Sequence, residues 1–133
     1  MPALVSCLQT AAARHTAFDV EIRGLGAFPS PTRPRVLWAG VETGRASLAA
    51  LAGAVDDALA GLGIPREERE FSPHVTVGRV RVTGRAPELA DALRDGGGSF
   101  GRIEVREIAF MRSELSPRGA RYSVLATAPL AGR

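Results

Sequence analysis

The segment FDVEIRGLGAFPSPTRPRVLWAGV, residues 18 to 41, decides the fold class. Phe18, Val20 and Ile22 alternate with Asp19, Glu21 and Arg23, the two-residue period of a half-buried strand. Gly24, Gly26 and Pro29 end that strand, PSPTRP (29–34) reads as a stiff loop, and RVLWAGV (35–41) reads as a second strand. Toward the N-terminus, residues 3 to 14 place Leu4, Leu8 and Ala11 on one side at helical spacing. Toward the C-terminus, Leu48, Leu51, Val55, Leu59 and Leu62 form one apolar stripe, with Asp56 and Asp57 off it. Gly61, Gly63 and Pro65 close this second helix, and REERE (66–70) reads as a solvated connector.

A strand is expected from about Phe71 to Val82, and a short helix from Pro87 to about Arg94, broken by GGGS at 96–99. Residues 101 to 114 read as one long strand. Ile103 and Val105 share one parity and Ile108 and Phe110 the other, which predicts a bulge or twist near Arg106 and Glu107. SPRG (116–119) is a turn, and residues 120 to 128 form the last strand. Strand pairs separated by helices indicate an α+β fold. Helix–strand–strand occurs at residues 3–41 and again at 86–128; a strand precedes the second copy and none precedes the first.

With 133 residues, 45% of them hydrophobic and 23% charged, the chain suits one globular domain. No stretch approaches the roughly 18 apolar residues of a membrane span, and MPALVSCLQTAAARH lacks the basic start of a signal peptide, so a cytoplasmic location is expected. Cys7, the only cysteine, reads as a small apolar helix residue; with two histidines it makes a structural zinc site unexpected. All 17 basic residues are arginine, and the net charge of +3 permits a phosphate-bearing partner without requiring one.

The chemistry concentrates at His74-Val75-Thr76-Val77. On a strand His74 and Thr76 project from one face, about 7 Å apart, and Val75 and Val77 are expected to face the core. An imidazole moves protons near neutral pH and a hydroxyl holds a phosphate oxygen. Gly78 leaves room for a ligand beside the pair. Arg79 lies five residues from His74, so strict alternation turns it to the opposite face; it reaches the pair only if the strand bulges or the side chain curls round the edge. Ser113 and Glu114 serve either to orient His74 or as surface residues. Phe28 and Tyr122 could stack on a base, whereas Trp38 fits core packing better.

FSPHVTVGRV (71–80) resembles the second signature of the RNA 2',3'-cyclic phosphodiesterases, the 2'-5' RNA ligase-like family of the two-histidine phosphoesterase superfamily. GLGAFPSPTRPRVLWAGV (24–41) is similar to the segment between that family's two motifs, and MRSELSPRGARYSVLATAPL (111–130) to its C-terminal hairpin. The resemblance implies two pseudo-symmetric lobes of antiparallel sheet with helices packed outside and a cleft between them. Each lobe would supply one H-x-T strand, one histidine acting as acid and the other as base. The implied reaction opens a 2',3'-cyclic phosphate on an RNA end or nucleotide to a 2'-phosphate, with no metal and no cofactor. His74 would then be the base that activates water, and Thr76 a phosphate-binding threonine. Arg79, Ser113 and Tyr122 would contact substrate, and the protein is expected to be a monomer without membrane attachment.

The first H-x-T motif is not in the sequence: His15 is followed directly by Thr16. Residues 1–133 are therefore expected to be one domain, N-terminally incomplete, whose first lobe lacks a strand. An alternative follows from that gap, a non-catalytic protein that binds RNA ends or nucleotides.

Overall fold

A computed structural model of the chain describes residues 2–81 and 87–132. The described residues form α1 (Pro2–Ala13), β1 (Phe18–Pro29), β2 (Pro34–Val41), α2 (Arg45–Ala60), β3 (His74–Arg79), α3 (Pro87–Asp95), β4 (Ser99–Val105), β5 (Glu107–Ser116) and β6 (Gly119–Pro129). This is an α+β fold with a four-stranded sheet ordered β3-β2-β1-β4 and a two-stranded sheet β5-β6. The pairings of β1 with β2, β2 with β3 and β5 with β6 are all antiparallel. No helix among the described residues is long and apolar enough to cross a membrane.

The chain divides into two compact units. One contains α1, most of α2, β5 and β6. Its core is Leu8, Ala12, Leu51, Ala128 and Leu130, with Leu4, Phe18, Val55, Leu59, Val105, Ile108 and Phe110 packed around it. The stripe read from the α2 sequence therefore points inward at Leu51, Val55 and Leu59, whereas Leu62 lies past the helix and is 45% exposed. Ala12, fully buried, offers no side chain beyond Cβ and lets α1 approach the hairpin closely. The chain ends of this unit are tied together: Thr16 bridges Ala131 in parallel, and Leu130 N donates to Arg106 O at 2.8 Å. The REERE connector is tethered at its start, where Arg66 donates to Asp57 and Glu67 N donates to Asp56 Oδ1 at 3.1 Å.

The second unit contains nearly all of β1 together with β2, β3, α3 and most of β4. Val20, Ala27, Ala39, Val41 and Leu93 are buried in it. Backbone bonds lace its edges, including Glu21 N to Thr43 O at 3.0 Å and Gly24 N to Gly98 O at 3.0 Å. The long strand expected over 101–114 is two strands, β4 and β5, with Arg106 between them. The parity change between Val105 and Ile108 marks the point where the chain leaves one sheet for the other, β4 lying in the second unit as far as Ile103 and β5 in the first.

Two expectations about the third strand need correction. It runs only from His74 to Arg79, because Pro73 has no amide hydrogen to give a ladder; Val82 lies outside the described residues. Val75 and Val77 do not face a core: they are 46% and 59% exposed. Among the described residues β3 is the end strand of its sheet, paired with β2 alone.

The ring of Trp38 occupies the space above two glycines. A Cβ on Gly26 would stand 2.1 Å from Trp38 Cζ2, and one on Gly40 would stand 3.3 Å from Trp38 Cζ3. Gly26 is also the cross-strand partner of Trp38, so the indole folds directly over its neighbour. Replacing Gly26 by Ala should therefore expel the ring and cost about 1–3 kcal/mol of stability. Trp38 is the only tryptophan, so its emission should shift to the red as the thermal midpoint falls.

Candidate functional site

The register between β2 and β3 decides which side chains of the H-x-T segment emerge together. His74 lies opposite Gly40, Val75 opposite Ala39 and Thr76 opposite Trp38; the next pairs are Gly78 opposite Leu37 and Arg79 opposite Val36. β3 advances two residues, from Thr76 to Gly78, while β2 advances one. Val77 is the extra residue of a β-bulge. Cross-strand partners share a face, and Gly40, Trp38 and Val36 are alternate residues of β2. His74, Thr76 and Arg79 therefore come out on one face. Strict alternation would have sent Arg79 to the other side; the bulge reverses that.

The same face continues onto β1, where Gly26 lies opposite Trp38 and Phe28 opposite Val36. Phe28 packs on Trp38 with ring centroids 5.4 Å apart and planes tilted by 39°. It also meets the His74 ring edge to face, at 5.0 Å and 86°. Aromatic pairs favour such tilted and perpendicular arrangements. Trp38 Nε1 is buried without a hydrogen-bond partner among the described residues.

His74 is exposed, and its ring is bonded at one nitrogen. Nδ1 lies 2.7 Å from the carbonyl oxygen of Ser72. A carbonyl oxygen only accepts, so Nδ1 carries the hydrogen and donates it. In the neutral ring the lone pair is then on Nε2, the nitrogen able to take a proton. Thr76 and Arg79 are exposed beside it, and Arg79 forms no ion pair among the described residues. The face thus presents a proton acceptor, a hydroxyl and a guanidinium together, a set that fits an anionic oxygen-rich ligand. Among the described residues no three His, Cys, Asp or Glu side chains converge as metal ligands.

The other expected site residues lie in the first unit. Ser113 on β5 is the direct cross-strand partner of Tyr122 on β6, so their side chains share one face of the hairpin, and Tyr122 is 61% exposed. Met111 and Val124 form a neighbouring pair, both exposed. Glu114 is held by Arg112, with Nε 3.0 Å from its carboxylate. His15 closes α1, its amide bonded to Ala12 O at 3.0 Å and its carbonyl accepting from Ala131 N at 2.8 Å. Reading the sequence alone missed the Ser72 carbonyl, because a backbone acceptor has no residue signature. The Phe28–His74 contact was equally hidden, since it depends on a sheet order that brings β1 within reach of β3.

Comparison with known proteins places these features in a family. The RNA 2',3'-cyclic phosphodiesterase of Aeropyrum pernix is 40% identical over 116 residues, covering 86% of this chain and 66% of that protein. The protein of the same name from Archaeoglobus fulgidus is 41% identical over 109 residues, covering 81% of this chain and 60% of the relative. The match thus spans less than two thirds of either relative's length. A crystal structure of a Thermus thermophilus protein superposes with a TM-score of 0.73 at 30% identity, covering 100% of this chain and 71% of that one. The family model described as the 2'-5' RNA ligase superfamily matches residues 1–117, and the chain belongs to that superfamily.

Proposed function

We propose that the chain carries the water-activating side of an RNA 2',3'-cyclic phosphodiesterase site, with His74 as general base. The observation that carries this reading is the Nδ1 bond to the Ser72 carbonyl, which leaves Nε2 as acceptor on the face shared with Thr76 and Arg79. Opening a cyclic phosphate by water requires a proton to leave the attacking water as the oxygen–phosphorus bond forms. Nε2 takes that proton. Thr76 Oγ1 and the Arg79 guanidinium hold the non-bridging oxygens, whose charge grows as phosphorus becomes five-coordinate. The 3'-oxygen departs and needs a proton from the far side of phosphorus, and the product is a 2'-phosphomonoester. The family resemblance implies a second H-x-T histidine as that acid, and no second H-x-T occurs within the 133 residues. On the other unit, Ser113 and Tyr122 are read by themselves as substrate contacts, the phenol ring offering a stacking surface for a base. The names of the relatives support the substrate class, an RNA end or nucleotide bearing a 2',3'-cyclic phosphate.

A second reading has one specific observation in its favour. Thr76 and Arg79 stand exposed on one face with His74 and fit a phosphate, so that face would bind RNA ends or 2'-nucleotides without turning them over.

The two readings separate in one assay, hydrolysis of a 2',3'-cyclic nucleotide followed by product separation. The hydrolase reading expects a 2'-phosphate, a rate unaffected by chelator, and a loss of about 10²- to 10⁴-fold in His74→Ala. Binding without product selects the second reading, and chelator-sensitive turnover overturns the metal-independent mechanism. Arg79→Gln should weaken binding of a 2'-nucleotide by about 10- to 100-fold, measured calorimetrically, because a charged hydrogen bond to phosphate is lost. Unchanged affinity in that variant would remove Arg79 from the site.

A further inference from the structure

We infer that Phe28 is a positioning residue for His74, acting with the Ser72 carbonyl to hold Nε2 toward the phosphate. The inference rests on the reading of His74 as the base. β1 and β3 are not neighbours; β2 runs between them. Phe28 and His74 nevertheless meet, 5.0 Å apart and nearly perpendicular. The contact is possible because the row between them is Gly26, Trp38 and Thr76, and the Trp38 ring lies down over Gly26. Phe28 then rests on that ring and reaches across to the imidazole.

The hydrogen bond from Nδ1 fixes which nitrogen is protonated, but an exposed imidazole on an edge strand can still rotate away and give that bond to water. Neighbours on β3 do little to prevent this, because Val75 and Thr76 are themselves exposed. The perpendicular Phe28 ring closes one side of the arc. Ring pairs of this kind correspond to about a 3- to 10-fold preference for the packed rotamer. A base held in place costs less reorganisation when water is attacked, so the effect falls on the chemical step and leaves substrate affinity alone.

The test compares Phe28→Leu and Phe28→Met, which keep bulk without a ring, with Phe28→Tyr, which keeps the ring. Thermal midpoints and Trp38 emission establish that each variant is folded. Nitrogen-15 chemical shifts of His74 in the free protein report the tautomer independently of activity. The expected result is a mixed tautomer in the Leu and Met variants, kcat reduced about 3- to 10-fold, KM within about 2-fold, and recovery of both signals in the Tyr variant. An unchanged tautomer and kcat in the Leu and Met variants overturns the inference. A raised KM with unchanged kcat also overturns it, by making Phe28 a stacking surface for the base. If the tautomer shifts in the Leu variant but His74→Ala leaves turnover intact, Phe28 does position His74 and the catalytic reading is what fails.

Discussion

The candidate site depends on a one-residue mismatch between two strands. A sheet places alternate side chains on one face, so a motif with functional groups at the first, third and sixth positions cannot present all three from a regular strand. β3 resolves this by counting one residue more than β2 between Thr76 and Gly78. The extra residue, Val77, loses its place in the ladder and is left 59% exposed. Among the described residues β3 is an edge strand, so no third strand there has to follow the distortion. A bulge on an edge also makes it a poorer template for pairing with another chain. The same departure from regularity thus assembles a cation, a hydroxyl and an imidazole, and blunts the edge that carries them.

A second constraint works from beneath. Trp38 could not lie flat if Gly26 carried a side chain, and without the flat indole Phe28 would have no platform from which to reach His74. The site is therefore built on three strands, although its chemistry sits on one. Most of this support is aromatic and backbone rather than ionic. Such contacts resist salt and pH, because glycine, tryptophan and phenylalanine side chains carry neither charge nor titratable group.

How much of this the sequence disclosed follows from how local each feature is. The α2 stripe could be read at Leu51, Val55 and Leu59 because helical periodicity is a property of neighbouring residues, and those side chains do pack on the core. The change of parity after Val105 could be read for the same reason, although its meaning could not: it marks a passage between sheets, not a kink in one strand. Val75 and Val77 were misassigned because their exposure depends on β3 lying at an edge, and sheet order is a long-range property. The position of Arg79 could be posed only as a question, since the answer is a register against β2, some forty residues earlier in the chain. Gly26 looked like a strand-ending residue and is instead a clearance for a ring within paired strands.

The partner chosen for His74 has a chemical consequence. Many catalytic histidines are oriented by a carboxylate, which also stabilises the imidazolium that forms when the base takes its proton. Here the orienting group is the carbonyl of Ser72, a dipole without net charge. It fixes the tautomer as firmly, because it can only accept, yet offers the imidazolium less Coulombic compensation. On the proposed reading the missing negative charge comes from the substrate, since a cyclic phosphodiester is anionic and gains charge on its equatorial oxygens as water adds. Arg79 and Thr76 then have a second role: they hold those oxygens where the new imidazolium meets them. On that reading the base works best with an anion bound beside it, which favours a phosphodiester over a neutral ester by electrostatics.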